Sequence, residues 1–213
     1  MLLNRNYPIG VLFDLFHSDI DLPWTLTVNF DHFPSEILVK CNTRVSMEST
    51  FMSCLKEADT LKHRNPIVAT MHKKDHNQLW NGLLQHKYEQ FWLINRRLMV
   101  PDNSEVNDTE FNAHNGHDYF RYIPFRLYMV STQNGASEAS PMFHQKLVKP
   151  VHNDGQPAIF RDLLVQVLGR DNLLDKHRFV TQGIEPVLST PLQWMSEHMS
   201  FLDNFLHIIA FDK

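Results

Sequence analysis

Two arginines follow an apolar, tryptophan-bearing stretch in the segment EQFWLINRRLMVP, residues 89–101. Drawn as a helix, this segment gathers its apolar side chains on one side and places Arg96 and Arg97 on the two flanks. Arginines at the edge of a buried helix commonly keep only their charged ends in water. The question raised by the segment is whether either arginine marks a reaction or both simply border a core.

Histidine does not form a recognisable metal-binding pattern. His72 and His76 are four residues apart on a predicted helix, a spacing that places two ligands on one face. Neither this pair nor His114 and His117 in a predicted loop has the glutamate of a zinc-protease motif or an implied third ligand. We interpret these histidines as surface residues, and a histidine-dependent metalloenzyme is the alternative that elemental analysis would exclude.

Other catalytic motifs are also missing from the sequence. Cys41 and Cys54 make neither a disulfide framework nor a zinc set, and we expect both to stay reduced, with Cys54 in a core. The 7 glycines form no phosphate-binding loop, and no Gly-x-Ser-x-Gly motif occurs. The sequence therefore predicts a binding module without catalytic residues, cofactor or metal.

Composition narrows the classes of partner. The chain of 213 residues is 43% apolar and 21% charged, which is ordinary for a globular protein, and its net charge of −4 gives no reason to expect nucleic acid. No apolar run approaches the ~20 residues that span a bilayer, and the first residues lack a signal-peptide pattern. We expect a cytosolic protein or a peripheral visitor to membranes.

The first half of the chain changes from strand-like to helical patterning. The runs YPIGVLFDLF (7–16) and WTLTVNF (24–30) are predicted strands. A helix capped by Ser46 should end near Asn65, before Pro66. A second helical stretch carries one broad apolar face, and residues 100–118 are a predicted linker or surface loop. The apolar face comprises Leu79, Trp80, Leu83, Leu84 and Phe91, continuing into Trp92, Ile94, Leu98 and Met99. We expect Phe91, Trp92 and Ile94 to pack in the core of the helical region.

The last region predicts the order strand, strand, helix, strand, short helix, strand. The strands are RYIPFRLYMV, MFHQKLVKPV, one or two around Gly183, and NFLHIIAF; the first helix is FRDLLVQVL. The short helix should begin with Thr190 as cap, Pro191 in its first turn and Gln193 completing a capping box. A helix on one face of a mixed sheet in this order is typical of the ubiquitin-like β-grasp fold.

Several longer segments resemble the autophagy protein five family. The resemblance runs from Tyr7 to Ile208 and rests on YPIGVLFDL, PWTLTVNF, FMSCLKEAD, QLWNGL, QFWLINRRLM, FRYIPFRLY, GIEPVL, TPLQWMSEHMS and DNFLHI. It implies an α+β chain in which ubiquitin-like β-grasp domains flank a helix-rich region. The expected divisions are an incomplete first ubiquitin-like domain at 1–45, the helix-rich region and linker at 46–117, and the second ubiquitin-like domain at 118–213.

The resemblance implies a scaffold without enzyme activity of its own. Members of the family accept the ubiquitin-like modifier autophagy protein twelve on a lysine, and the complex promotes transfer of another ubiquitin-like protein to phosphatidylethanolamine. The coiled-coil autophagy protein sixteen lays a helix across the two ubiquitin-like domains and recruits the complex to the growing phagophore membrane. A lipid-conjugating enzyme is reached through the complex, and the expected location is cytoplasmic and peripheral on that membrane.

Residue 97 departs from the family pattern. The attachment lysine of the family matches Arg97, and a guanidinium lacks the lone pair with which an amine attacks a thioester. Lys87 lies about 15 Å away along a helix and roughly 80° around it, so it is no simple substitute. We therefore expect the modifier to be held without a covalent bond.

The start of the chain is the second departure. The elements that precede YPIGVLFDLF in the family are missing, which puts binding of the coiled-coil partner in doubt. We expect residues 118–213 to fold well and residues 1–45 to be poorly supported unless something packs on them; equal resistance of both to proteolysis would contradict this. The alternative function is a truncated or impaired paralogue that binds partners without supporting lipidation.

Overall fold

The computed structural model describes residues 7–16, 23–25, 35, 43–101, 119–130, 143–169 and 174–213. In these residues a helical bundle joins a mixed sheet with helices on both faces, which confirms the predicted α+β class. The predicted strand at 24–30 beyond Thr25, the linker at 102–118, the hairpin loop at 131–142 and Cys41 lie outside the described residues. Among the helices described, none is long and apolar enough to cross a bilayer.

The run at 7–16 is a helix, α1 (Ile9–Phe16), so the predicted strand is wrong. The carbonyl of Pro8 accepts hydrogen bonds from the N–H groups of Val11 and Leu12 at 3.0 and 3.2 Å, which starts the helix. Val11, Leu12 and Leu15 are buried, a spacing that shares one side of a helix but opposite faces of a strand. A short, continuously apolar run does not distinguish the two by periodicity.

Helix α2 (Arg44–Lys62) confirms the first predicted helix but begins with a different cap. The Oγ1 atom of Thr43 accepts a hydrogen bond from the backbone N–H of Ser46 at 3.1 Å, so Thr43 is the N-cap and Ser46 lies in the first turn. The helix ends at Lys62, before the segment that contains Pro66. The helix therefore starts three residues earlier than the Ser46 cap predicts.

The second helical stretch forms two helices, α3 (Lys73–Leu84) and α4 (Tyr88–Asn95). The chain reverses at His86, whose φ is +55°, and a short 3₁₀ turn (Arg96–Met99) follows α4. Gly82 permits close packing of the two helices, because a Cβ atom there would lie 2.6 Å from the backbone nitrogen of Phe91. The bundle core comprises Met52, Leu55, Val68, Leu79, Phe91, Ile94 and Leu98.

The second domain is built on four strands in the order β2-β1-β4-β3. These are β1 (Phe125–Val130), β2 (Phe143–His144), β3 (His177–Val180) and β4 (Leu206–Asp212). The central strands β1 and β4 are parallel, and β2 and β3 pair antiparallel at the edges. Helices α5 (Phe160–Leu168) and α6 (Leu192–His198) complete the predicted ubiquitin-like arrangement.

The two faces of β4 contact different layers of the molecule. Leu206, Ile208 and Ala210 join the core beneath α5 and α6. Ile209 and Phe211 point to the opposite face, where they pack with Val11 and Leu15 of α1 and with Tyr128. Because a helix covers each face, β4 is buried at six successive positions rather than alternating. Helix α1 therefore packs on the sheet of the second domain.

The start of α6 differs from the predicted capping box. Pro191 occupies the N-cap position in an extended conformation, and no side chain caps the helix. The hydroxyl of Thr190 donates instead to the carbonyl of Val187 at 2.7 Å. Gln193 is used elsewhere, since its Oε1 atom accepts from the backbone N–H of Phe120 at 3.1 Å. A turn hydrogen bond of Thr190 and a tertiary hydrogen bond of Gln193 have replaced the capping box that the sequence predicts.

Helix α2 attaches the bundle to the second domain. The carbonyl of Lys62 accepts a hydrogen bond from the N–H of Arg121 at 2.7 Å, and Asn204 Nδ2 donates to Asn95 Oδ1 at 3.0 Å, both partners being buried. Arg126 adds an ion pair of 3.1 Å to Glu57. The bundle and the sheet are therefore joined by directional contacts as well as by apolar packing.

Candidate functional site

Arg97 lies on the surface of the bundle, in the 3₁₀ turn that follows α4. Its Nη1 atom donates to Asp75 Oδ2 at 3.1 Å, and 44% of its side chain is exposed. Asp75 lies in the first turn of α3, so the ion pair links the beginning of one helix to the end of the next. Such a half-exposed pair contributes about 0–1 kcal/mol to stability. The pair is a candidate site because Arg97 occupies the position expected for the attachment lysine, and not because of its contribution to stability.

The solvent side of α4 carries apolar residues in front of Arg97. Trp92 is 36% exposed, Leu93 51% and Tyr88 65%. The rings of Tyr88 and Trp92 stack with centroids 6.0 Å apart and planes 10° apart. The prediction that Trp92 belongs to the bundle core is therefore wrong, whereas Phe91 and Ile94 are buried as predicted. The α4 face comprises Tyr88, Trp92, Leu93, Arg96 and Arg97.

Basic residues surround this face. Lys73 and Lys74 are exposed at the start of α3, next to the Asp75 that contacts Arg97. Lys87 is exposed just before α4, whereas Arg97 follows the other end of that helix. Lys87 and Arg97 therefore lie at opposite ends of α4.

A second candidate site is a cavity of about 380 Å³ between α1 and the second domain. Asp14 is 4% exposed there; its Oδ1 atom accepts from the N–H of Gly183 at 2.8 Å, while Oδ2 has no hydrogen-bond partner in the described residues. Burial raises the pKa of this carboxyl, although the backbone N–H groups of Gly183 and Gln182 oppose the shift. The other lining residues are Gly10, Phe13, Ser200, Phe201 and Leu202.

Lys62 is a buried amine at the junction between the bundle and the second domain. Its Nζ atom lies 3.0 Å from the thioether sulfur of Met99 and 4.7 Å from the centre of the Phe120 ring. Burial lowers the pKa of Lys62 to about 7, even though the carboxylates of Glu197, Asp59 and Asp203 act in the opposite direction. Because its side chain is buried between the bundle and the second domain, the amine of Lys62 cannot contact a substrate, and we assign it a structural role.

A buried tyrosine, histidine and aspartate form the other polar cluster of note. The Tyr128 hydroxyl lies 2.8 Å from His207 Nδ1, and His207 Nε2 lies 2.9 Å from Asp203 Oδ2. Burial raises the pKa of Tyr128 well above its ordinary value. Helix α1 covers Tyr128, and His207 is fully buried, so this chain of hydrogen bonds orders the core rather than meeting a substrate.

The other candidate residues from the sequence do not assemble into a site. His72 is exposed ahead of α3, and His76 Nε2 contacts the carbonyl of Val68 at 3.3 Å. His114 and His117 lie outside the described residues, among which no metal-binding group of three His, Cys, Asp or Glu side chains occurs. Cys54 is a free, half-buried thiol whose pKa is raised by burial.

Sequence reasoning missed Asp14 and Asp75. Asp14 was hidden by the strand interpretation of its segment, which gave no reason to place a carboxylate beside the second domain. Asp75 contacts Arg97 across 22 positions of the chain, and no local pattern indicates such a pair. The exposure of Trp92 was also missed, because helical periodicity does not reveal which side of an almost entirely apolar helix faces solvent.

Three family models match the chain. "Autophagy protein ATG5, alpha-helical bundle region" matches residues 44–101, the UblB domain of the same family matches residues 122–210, and its UblA domain matches residues 1–30. The first two coincide with the bundle and with the four-stranded domain described above. Helix α1 falls within the third.

Relatives of known name match nearly the whole chain. Autophagy protein 5 of Drosophila melanogaster is 44% identical over 207 residues, covering 97% of this chain and 69% of that protein. Autophagy-related protein 5 of Caenorhabditis elegans is 29% identical, covering 97% and 70%. The crystal structure of Kluyveromyces marxianus Atg5 superposes with a TM-score of 0.65 at 16% identity, covering 96% of this chain and 67% of that one, which shows a shared fold.

Proposed function

Because this chain belongs to the autophagy protein 5 family and so has a role in autophagy, we propose a specific task for it. It is a non-enzymatic scaffold subunit of the ligase-like complex that promotes conjugation of a ubiquitin-like protein to phosphatidylethanolamine during autophagosome formation. It holds its own modifier, autophagy protein twelve, without a covalent bond. The observation that carries this proposal is the guanidinium of Arg97 at the end of the α4 face.

Arg97 explains why the association is non-covalent. Formation of an isopeptide bond needs a neutral amine whose lone pair attacks a thioester, and a lysine provides one after losing a proton. The guanidinium of arginine keeps its charge and has no available lone pair. The side chain is exposed, so burial does not explain the absence of attachment; the functional group does.

The α4 face supplies affinity in place of the bond. A covalent tether keeps a partner at high effective concentration, and without it the interface alone must hold the modifier. Stable interfaces typically bury more than about 1,000 Å² and are anchored by a few aromatic or arginine residues. Trp92 with Tyr88, followed by Arg96 and Arg97, is a set of such anchors on one helix.

Trp92→Ala should weaken binding of the modifier by roughly 30-fold, the usual effect of truncating a central aromatic anchor. Because Trp92 is only 36% exposed and stacks on Tyr88, the free energy of unfolding should also fall, by about 1–2 kcal/mol, and binding is measured well below the unfolding temperature. Isothermal titration of the purified chain with the modifier measures the affinity. Phe143→Ala, at a comparably exposed aromatic residue on β2, is the control and should bind normally. Equal affinities of both variants would remove the α4 face from the interface.

The cavity beside α1 fits the coiled-coil partner. We assign it to a helix of autophagy protein sixteen, which in the family lies across both ubiquitin-like domains. The apolar rings of Phe13 and Phe201 offer contact to the apolar side of such a helix. Asp14 Oδ2 is buried at the wall of this cavity and has no partner among the described residues, so it would accept a hydrogen bond from an arginine or lysine on that helix once a lining side chain moves aside.

Asp14→Asn should weaken binding of the coiled-coil partner by about tenfold, because the amide keeps the acceptor for Gly183 but removes the negative charge. Asp175→Asn, at an exposed position of the second domain, is the matched control and should leave binding unchanged. Titration with the partner's binding helix as a peptide measures both affinities. An unaltered dissociation constant for the Asp14 variant would place the partner elsewhere.

Co-expression with the modifier and its activating and conjugating enzymes tests the proposal as a whole. The expected complex co-purifies under native conditions and separates into two bands on a denaturing gel. A heavier band that survives boiling and requires the enzymes would contradict non-covalent association. Restored lipidation in cells lacking the normal protein would separate this function from that of an impaired paralogue, which occupies partners without supporting lipidation.

The proposed place of action is the cytoplasmic side of the phagophore membrane. Recruitment through the coiled-coil partner makes the association peripheral, and the lipid-conjugating enzyme is reached through the bound modifier. The division of tasks follows the predicted domains: residues 46–117 carry the modifier site, while residues 1–45 and 118–213 together bind the coiled-coil helix.

A further inference from the structure

The guanidinium of Arg97 already binds one carboxylate, that of Asp75, and has capacity for another. We propose that it binds the free C-terminal carboxylate of the modifier, so that an ion pair occupies the place of the bond formed by lysine-bearing relatives. The inference rests on the proposed function, since it requires the modifier on the α4 face.

The geometry leaves donors for this second carboxylate. A guanidinium carries five N–H donors in one plane, in a fork that matches the two oxygens of a carboxylate. Asp75 Oδ2 occupies Nη1 at 3.1 Å, and no other contact of the guanidinium occurs among the described residues. With 44% of the side chain exposed, an incoming oxygen can approach without movement of the backbone.

The local charge favours an anion. Lys73 and Lys74 are exposed just before Asp75 in the chain, and Arg96 is exposed just before Arg97, so cationic residues adjoin both partners of the ion pair. The exposed carboxylate of Glu89 lies two helical turns away, at the other end of α4. Hydrogen bonds between charged partners are about twice as strong as neutral ones. The half-neutralised Arg97 therefore remains attractive to a second negative group.

The α4 face leads a chain end towards this corner. Leu93 lies one turn before Arg97 and Trp92 one turn before Arg96, so an exposed apolar residue precedes each arginine along the helix. The four steps from Leu93 to Arg97 cover about 6 Å at the helical rise, which about two extended residues can follow. A flexible C-terminal tail that contacts Leu93 would bring its carboxylate to the guanidinium.

The test compares two forms of the modifier, one with a free C-terminal carboxylate and one with a C-terminal carboxamide. For the natural chain, amidation should weaken the affinity about tenfold, since it removes the charge but keeps the size of the group. For Arg97→Gln, both forms should bind equally, at the affinity of the natural chain for the carboxamide. Asp75→Asn should increase the effect of amidation, because the guanidinium is then no longer shared.

Arg178→Gln is the matched control, because Arg178 also makes a single-carboxylate contact, 3.4 Å from Glu185, but lies on β3. It should keep the tenfold effect of amidation. Equal, tight binding of both forms by the natural chain would overturn this inference and leave the proposed function standing. Failure of both forms to bind would overturn the two together.

Discussion

Arg97→Lys should convert the separable complex into a covalent one when the chain is co-expressed with the modifier and its enzymes. A band of the combined mass that survives boiling should appear, where the natural chain gives none. The new amine would stand at an exposed position, with Asp75 close enough to orient it by a hydrogen bond. No other substitution should be needed, because the lysine would have the same position and exposure as the arginine. The substitution supplies only the amine lone pair that the guanidinium lacks.

Arg97→Gln separates this effect from the loss of the positive charge and should give no covalent band. Peptide mass mapping of the heavier species should find the link at position 97. A heavier band from the natural chain would show that another lysine accepts the modifier, Lys87 being the nearest upstream lysine near α4. Failure of Arg97→Lys in the presence of active enzymes would mean that position 97 is not the attachment position.

Lys62→Met should raise the free energy of unfolding at neutral pH by about 2–4 kcal/mol. The amine must shed its proton, or be buried charged, to occupy its position between Met99 and Phe120. With a pKa of about 7 in the folded chain and about 10.5 in the unfolded chain, the cost approaches ~1.4 kcal/mol for each unit of difference. Methionine has a similar length and carries no charge, which makes the burial favourable.

The stabilisation gained by Lys62→Met should decrease as the pH rises. Between about pH 7 and 10.5 the unfolded natural chain binds one more proton at this site than the folded chain, so its stability rises with pH. The advantage of Lys62→Met should therefore be largest at or below pH 7 and shrink towards pH 10. Urea unfolding at several pH values measures the difference, and Lys56→Met on the exposed side of α2 should show almost none. A difference that stays constant across this range would contradict a neutral buried amine.

The order of elements in the second domain was predictable because they are amphipathic and separated by clear turns, although only Phe143–His144 of the predicted strand MFHQKLVKPV pairs in the sheet. In FRDLLVQVL, the four residues Phe160, Leu163, Leu164 and Val167 are those buried in α5. The order of strands required only the β-grasp pattern, and the central strand β4 appears where NFLHIIAF predicts it. Local pattern and tertiary structure agree there, which is the condition under which sequence reasoning succeeds.

The sequence-based predictions fail where the structure of a segment depends on residues that are distant in the chain. The segment of Val11 and Leu15 is apolar enough for either a strand or a helix, and the sheet that it covers belongs to the far end of the chain. Gln193 has the residue type of a capping box, but the distant Phe120 binds its side chain, while Thr190 bonds to Val187 in the preceding turn. The identification of Arg97 with the attachment position rests on the family resemblance and stays a prediction. Its ion pair with Asp75 was not, because it depends on how α3 and α4 pack.

The contact between α1 and β4 constrains how the polypeptide is made. Ribosomes release the amino end first, so α1 emerges long before Ile209 and Phe211, against which Val11 and Leu15 eventually pack. During translation this helix therefore remains with its apolar side uncovered, accessible to chaperones, until β4 has been synthesised. A nascent chain stalled before β4 would hold a finished helical bundle but an undocked amino-terminal helix.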